Sequence, residues 1–101
     1  MMIEIISKSC PVTATMQEFA ENEFSFLNLK EREDVHLKLT VVPINDYTWQ
    51  LKLFYQEPGV SLGRLEVMAD DYYRAIEIAT KKLNSQLKKI NRKKQTNRSF
   101  N

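Results

Sequence analysis

Apolar positions along the chain fall into six runs whose period switches between that of a strand and that of a helix. Met2 to Lys8 opens with apolar and β-branched residues, the composition of a short strand. Pro11 closes it, and Thr13 is placed to cap a helix, because its hydroxyl oxygen can accept a backbone N–H that the first turn leaves unpaired. Met16, Ala20, Phe24 and Leu27 then recur at spacings of four, four and three, with Phe19 alongside, which makes one helical stripe. That helix should end between Leu27 and Leu29, before the charged loop Lys30-Glu31-Arg32-Glu33-Asp34.

From Asp34 to Pro43 the period drops to two: Val35, Leu37, Leu39 and Val41 alternate with His36, Lys38 and Thr40, a half-buried strand. Ile44-Asn45-Asp46 reads as a turn. A third strand alternates Trp49, Leu51, Leu53 and Tyr55 with Gln50, Lys52 and Phe54. Glu57-Pro58-Gly59 makes the next turn, and a fourth strand from Ser61 to Met68 turns Leu65 and Val67 inward. Asp70 and Asp71 stand where a helix cap and first turn favour carboxylates. At about 100° per residue, Tyr72, Ile76, Ala79, Leu87 and Ile90 all lie within roughly 40° of Leu83, giving the last helix one apolar face.

The order β-α-β-β-β-α predicts an α+β domain. A right-handed crossover joins the first two strands in parallel, an antiparallel meander follows, and both helices pack on one face of a four-stranded mixed sheet. The other face is left open, bearing Lys38, Thr40, Gln50, Lys52 and Phe54. Residues 1–93 form the single domain, and the basic polar tail 94–101 is expected to be disordered.

Composition narrows the chemistry. A chain of 101 residues with one cysteine, Cys10, and one histidine, His36, has no disulfide framework, four-thiolate zinc site or paired-histidine acid/base centre. Two glycines leave no room for a glycine-rich phosphate loop. No apolar run approaches the roughly 18 residues of a membrane span, and the N-terminus lacks a signal-peptide pattern. The expectation is a non-enzymatic cytoplasmic protein with no cofactor, no membrane attachment and no small-molecule substrate. His36 reads as a surface histidine and Cys10 as a bystander in the first loop. Phe19, Phe24 and Trp49 read as packing, whereas Phe26 and Phe54 are harder to bury and either could touch a partner.

Charge adds direction. The formal net charge is +2, yet residues 1–63 hold five basic and nine acidic side chains, and residues 64–101 hold ten basic and four acidic. No carboxylate side chain follows Glu77, while eight Lys or Arg do. On the helical projection Arg74, Lys81, Lys88 and Arg92 lie opposite Leu83, and Lys82, Lys89 and Lys93 form a second row on one flank. Adjacent rows of like charge repel, a cost that the negative end of the helix dipole only partly relieves. A phosphate backbone would offset the rest by releasing condensed counterions. Lysines at such spacing suit recognition of phosphates and shape rather than of base edges. A small α+β adaptor holding an acidic protein partner through the same basic helix is the alternative.

The segment Asp70-Asp71-Tyr72-Tyr73-Arg74-Ala75-Ile76-Glu77, with Lys82-Leu83-Asn84-Ser85-Gln86-Leu87-Lys88-Lys89 after it, resembles the signature of the ribosome hibernation-promoting factor family. This family includes protein Y, also called ribosome-associated inhibitor A, and was formerly described as sigma-54 modulation protein. Ile5-Ile6-Ser7-Lys8 and Val12-Thr13-Ala14-Thr15-Met16-Gln17-Glu18-Phe19 are similar to its first strand and helix start, so the likeness spans nearly the whole chain. It implies a factor of starvation or stationary phase that binds the small ribosomal subunit, free or within the intact ribosome, between head and body. There it would contact rRNA phosphates near the decoding centre and block mRNA and tRNA. By position in the family pattern, Lys82, Gln86 and Lys89 are the implied rRNA-binding residues; Lys81, Lys88, Arg92 and Lys93 join them on helical geometry. Ser85 stands where the family usually has Arg, and Gln17, Glu23 and Phe26 stand where its first helix is often basic, so binding is expected to lean on the last helix and tail. The chain also ends before the dimerisation domain of the family's long form, which leads us to expect a short-form member.

Overall fold

The computed structural model describes residues 2–27, 34–59 and 62–99, with side chains described as far as Lys89. The elements run β1 (Met2–Ser7), α1 (Ala14–Ser25), β2 (His36–Asn45), β3 (Thr48–Gln56), β4 (Arg64–Ala69) and α2 (Tyr72–Ser99). The sheet has the order β1-β2-β3-β4, with β1 parallel to β2 and the remaining pairs antiparallel. This is the α+β architecture that the alternating periods predict.

Local chemistry sets the ends of the elements. The Thr13 hydroxyl accepts the Met16 N–H at 3.2 Å, capping α1. The helix closes at Ser25, two residues short of the expected limit, as the N–H groups of Phe26 and Leu27 bond three residues back to Glu23 and Phe24. The charged loop expected at 30–34 lies mostly outside the described residues. Ile44 and Asn45, read as turn from sequence, belong to β2. The Asn45 side chain accepts the Tyr47 N–H at 2.8 Å, which moves the reversal to Asp46 and Tyr47. A shift in pairing between Pro43 and Asn45 accompanies it, next to a proline that has no N–H for the ladder. β4 begins at Arg64 rather than Ser61, because Gly63 takes a left-handed φ of 74°.

Period-two alternation sends Leu37, Leu39, Val41, Leu51, Leu53, Tyr55 and Val67 to one face of the sheet, where they are buried. Met16, Ala20 and Phe24 from α1 and Tyr72, Ile76, Ala79, Leu83 and Leu87 from α2 complete a single core. Both helices therefore cover the same face. Ala75 and Thr80 are also buried on α2, Thr80 satisfying its hydroxyl on the Ile76 carbonyl at 2.8 Å. Ile90, expected on this face, lies outside the described side chains, as does the tail expected at 94–101.

One buried polar contact ties the two helices. The Tyr72 hydroxyl donates to the Met16 carbonyl oxygen at 2.8 Å, while Tyr73 stacks edge-on against Phe19 at 5.0 Å between ring centroids. Burial pushes the Tyr72 phenol up from 10.0 to about 12, with neighbouring Tyr73 a smaller second cause.

Phe24→Ala should cost about 3–5 kcal/mol in urea unfolding, because it empties a fully enclosed site between helices and sheet. For Tyr72 the neutral phenol is favoured in the fold, so its contribution is whole below pH 10 and lost as pH climbs towards about 12. The difference in urea midpoint between the wild type and Tyr72→Phe should therefore change across that window, with the wild type losing the more stability.

Candidate nucleic-acid interface

The basic surface of α2 is set by how that helix begins and which face it buries. The Asp71 carboxylate accepts the Arg74 N–H at 2.7 Å and caps the helix; its carboxylate also suits the positive end of the dipole. With Ile76, Ala79, Thr80 and Leu83 buried on the face towards the sheet, Lys81 and Lys82 are turned outward. Lys81, Lys82, Lys88 and Lys89 are exposed, and Gln86 is half-buried beside them. Among the described residues no carboxylate lies within ion-pairing distance of any of these four lysines. Arg92 and Lys93 belong to the same helix, but their side chains lie outside the described residues.

Two contacts were not visible in the sequence. Lys82 donates from Nζ to the Glu66 carbonyl oxygen of β4 at 3.4 Å, so its ammonium is partly tethered to the sheet edge. Arg74, which helical projection places on the outer ridge, pairs instead with Glu77 at 3.2 Å, one turn on, and so shares its charge with the helix's own carboxylate. The free cationic ridge thus starts at Lys81, beyond Glu77. On the other helix, α1 presents Glu18 and Glu21 to solvent, and Gln17 donates to the Glu21 carboxylate at 3.0 Å. The interface the geometry offers is one-sided: basic on α2, acidic on α1.

The other polar groups described offer no metal or membrane chemistry. Among the described residues, no group of three or more His, Cys, Asp or Glu is placed to hold a metal ion, and no helix is long and apolar enough to cross a membrane. Cys10 sits 3.1 Å from the Ser7 hydroxyl in the β1–α1 loop. His36 Nε2 lies 3.5 Å from a Glu4 carboxylate oxygen on the open side of the sheet.

Comparison with known proteins gives this geometry a setting. The family model described as Sigma 54 modulation protein / S30EA ribosomal protein matches residues 3–95. A search of curated proteins finds no match. Among solved structures, a ribosomal subunit interface protein from Coxiella burnetii superposes with a TM-score of 0.77 at 17% identity, covering 90% of this chain and 98% of that one. The N-terminal domain of Protein Y from Thermus thermophilus superposes with a TM-score of 0.76 at 22% identity, covering 89% of this chain and 99% of that one. At such identities the likeness is one of fold.

Asp71→Ala removes the cap that starts α2 and should cost about 1 kcal/mol, read as a lowered thermal midpoint. Glu77→Gln, which only frees Arg74 from an exposed pair, should change stability by less than about 0.5 kcal/mol in the same melt.

Proposed function

The chain belongs to the sigma 54 modulation protein / S30EA ribosomal protein family, and from that membership we propose that it is a non-enzymatic, cytoplasmic ribosome hibernation factor. It binds the small ribosomal subunit, alone or within the intact ribosome, near the decoding centre and blocks mRNA and tRNA under stress or in stationary phase. The observation that supports this reading is the row of exposed lysines on α2, Lys81, Lys82, Lys88 and Lys89, which have no carboxylate partner among the described residues. Gln86 adds a neutral hydrogen-bonding group between them, and Arg92 and Lys93 extend the row along the sequence of the helix.

Lysine ammonium groups act on phosphates as point charges, so the affinity comes from counterion release and is sensitive to salt. Recognition then rests on the shape of folded rRNA rather than on base edges. On the helical side of the domain the acidic α1 restricts the contact to α2, since a phosphate approaching Glu18 and Glu21 is repelled.

In sucrose-gradient co-sedimentation the protein should travel with small subunits and ribosomes at about 100 mM salt and be released steeply as salt is raised. Lys82→Glu combined with Lys89→Glu should abolish co-sedimentation while leaving the far-ultraviolet circular dichroism spectrum unchanged. Binding indifferent to salt and to both substitutions would overturn the reading. Retention on an acidic protein, with none on subunits or purified rRNA, would favour the adaptor alternative.

A further inference from the structure

The face of the sheet that the helices leave open carries a second basic surface, and it is built differently from α2. At its centre on β3 stands Phe54, 42% exposed on an interior strand. Lys38 of β2 and Arg64 of β4 are its direct cross-strand partners, one on each side. Lys52 precedes Phe54 by two residues on the same strand and so projects from the same face, opposite Thr40. With Lys8 from the end of β1, these side chains line an open concavity of ≈ 320 Å³ that no carboxylate lines.

Self-neutralisation is the ordinary fate of such cations, and here it is averted by pairing elsewhere. Glu4 is in register with Lys38, but its carboxylate lies against His36. Glu66 is in register with Lys52, but its carboxylate lies 3.6 Å from Arg64 Nε. Among the described residues, Lys38 and Lys52 are therefore left with no carboxylate in ion-pairing range. Lysines on edge strands guard against stray pairing, yet these two stand on the interior strands β2 and β3, where there is no free edge to guard. The Arg64 guanidinium lies 5.9 Å from the Phe54 ring centroid. Two planar groups on which a nucleobase can stack thus adjoin ammonium groups that can hold its phosphates.

We propose that this open sheet face is a second RNA site, which takes a single-stranded segment with a base stacked at Phe54 and phosphates on Lys38 and Lys52. It lies on the opposite side of the sheet from the helices, so it is separate from the α2 surface and the domain can be held between two RNA elements.

The test is fluorescence anisotropy with a fluorescein-labelled adenylate oligoribonucleotide of about ten nucleotides. Phe54→Ala should weaken binding about tenfold and Phe54→Trp should retain it, since stacking rather than charge is removed and restored. Lys38→Gln with Lys52→Gln should weaken binding and flatten the slope of log affinity against log salt by about 1.4. Phe54→Ala should cost the same factor in a Lys82→Gln, Lys89→Gln background. No binding by the wild type, indifference to the sheet substitutions, or loss of the Phe54 effect in that background would each overturn the proposal, as would capture of an acidic protein without oligonucleotide binding. Failure of the α2 reading shows instead as ribosome co-sedimentation indifferent to Lys82 and Lys89, which leaves the Phe54 effect on the oligonucleotide in place.

Discussion

The rotational setting of α2 against the sheet is the constraint on which the rest of the molecule depends. Enclosing a Leu or Ile side chain stabilises the fold by about 1.5–3 kcal/mol each, whereas an exposed ion pair contributes about 0–1 kcal/mol. Ile76, Leu83 and Leu87 thus decide which way the helix turns, and the charges take the directions that remain. The Tyr72 hydroxyl on the Met16 carbonyl fixes the same setting from the other side, because rotating α2 would strand a buried polar group. The lysines point outward chiefly as a consequence of packing; only Lys82 adds a contact of its own, to the Glu66 carbonyl oxygen.

A single-layer sheet covered on one side has two chemically distinct surfaces by construction. On the covered side, helices present long side chains from a curved ridge, which suits contact with phosphates across the grooves of folded RNA. On the open side, strands present short rows of residues at fixed spacing around a shallow concavity, which suits planar groups. The placement of cations on both, with the carboxylates of the open face drawn to His36 and Arg64, gives one small domain two cationic surfaces of different shape.

What the sequence revealed follows from which interactions are local. The strands were legible because Leu37-Lys38-Leu39-Thr40-Val41 and Leu51-Lys52-Leu53 alternate without a break, and α2 because its apolar residues keep to one helical face. Thr13 and Asp71 were legible as caps because a cap bonds only two or three residues away. The end of β2 is not legible from residue type, because Asn45, a turn residue by type, closes the strand by accepting the Tyr47 N–H with its side chain. Helical projection puts Arg74 on the outer ridge because it gives direction but not the partner one turn on. Arg64 was not placed beside Phe54, nor Tyr72 on Met16, since cross-strand register and helix–helix contact join residues far apart in the chain.

The juxtaposition of an acidic α1 with a basic α2 has a kinetic consequence. Opposite charges separated across one small body make an electric moment, and a polyanion's field exerts a torque on it before any contact forms. The molecule would then arrive already turned, lysines leading and glutamates trailing, and fewer collisions would be wasted on the wrong side. Arrival would slow in concentrated electrolyte through loss of alignment as well as of attraction, because the orienting field decays over roughly a Debye length of about 8 Å at physiological ionic strength.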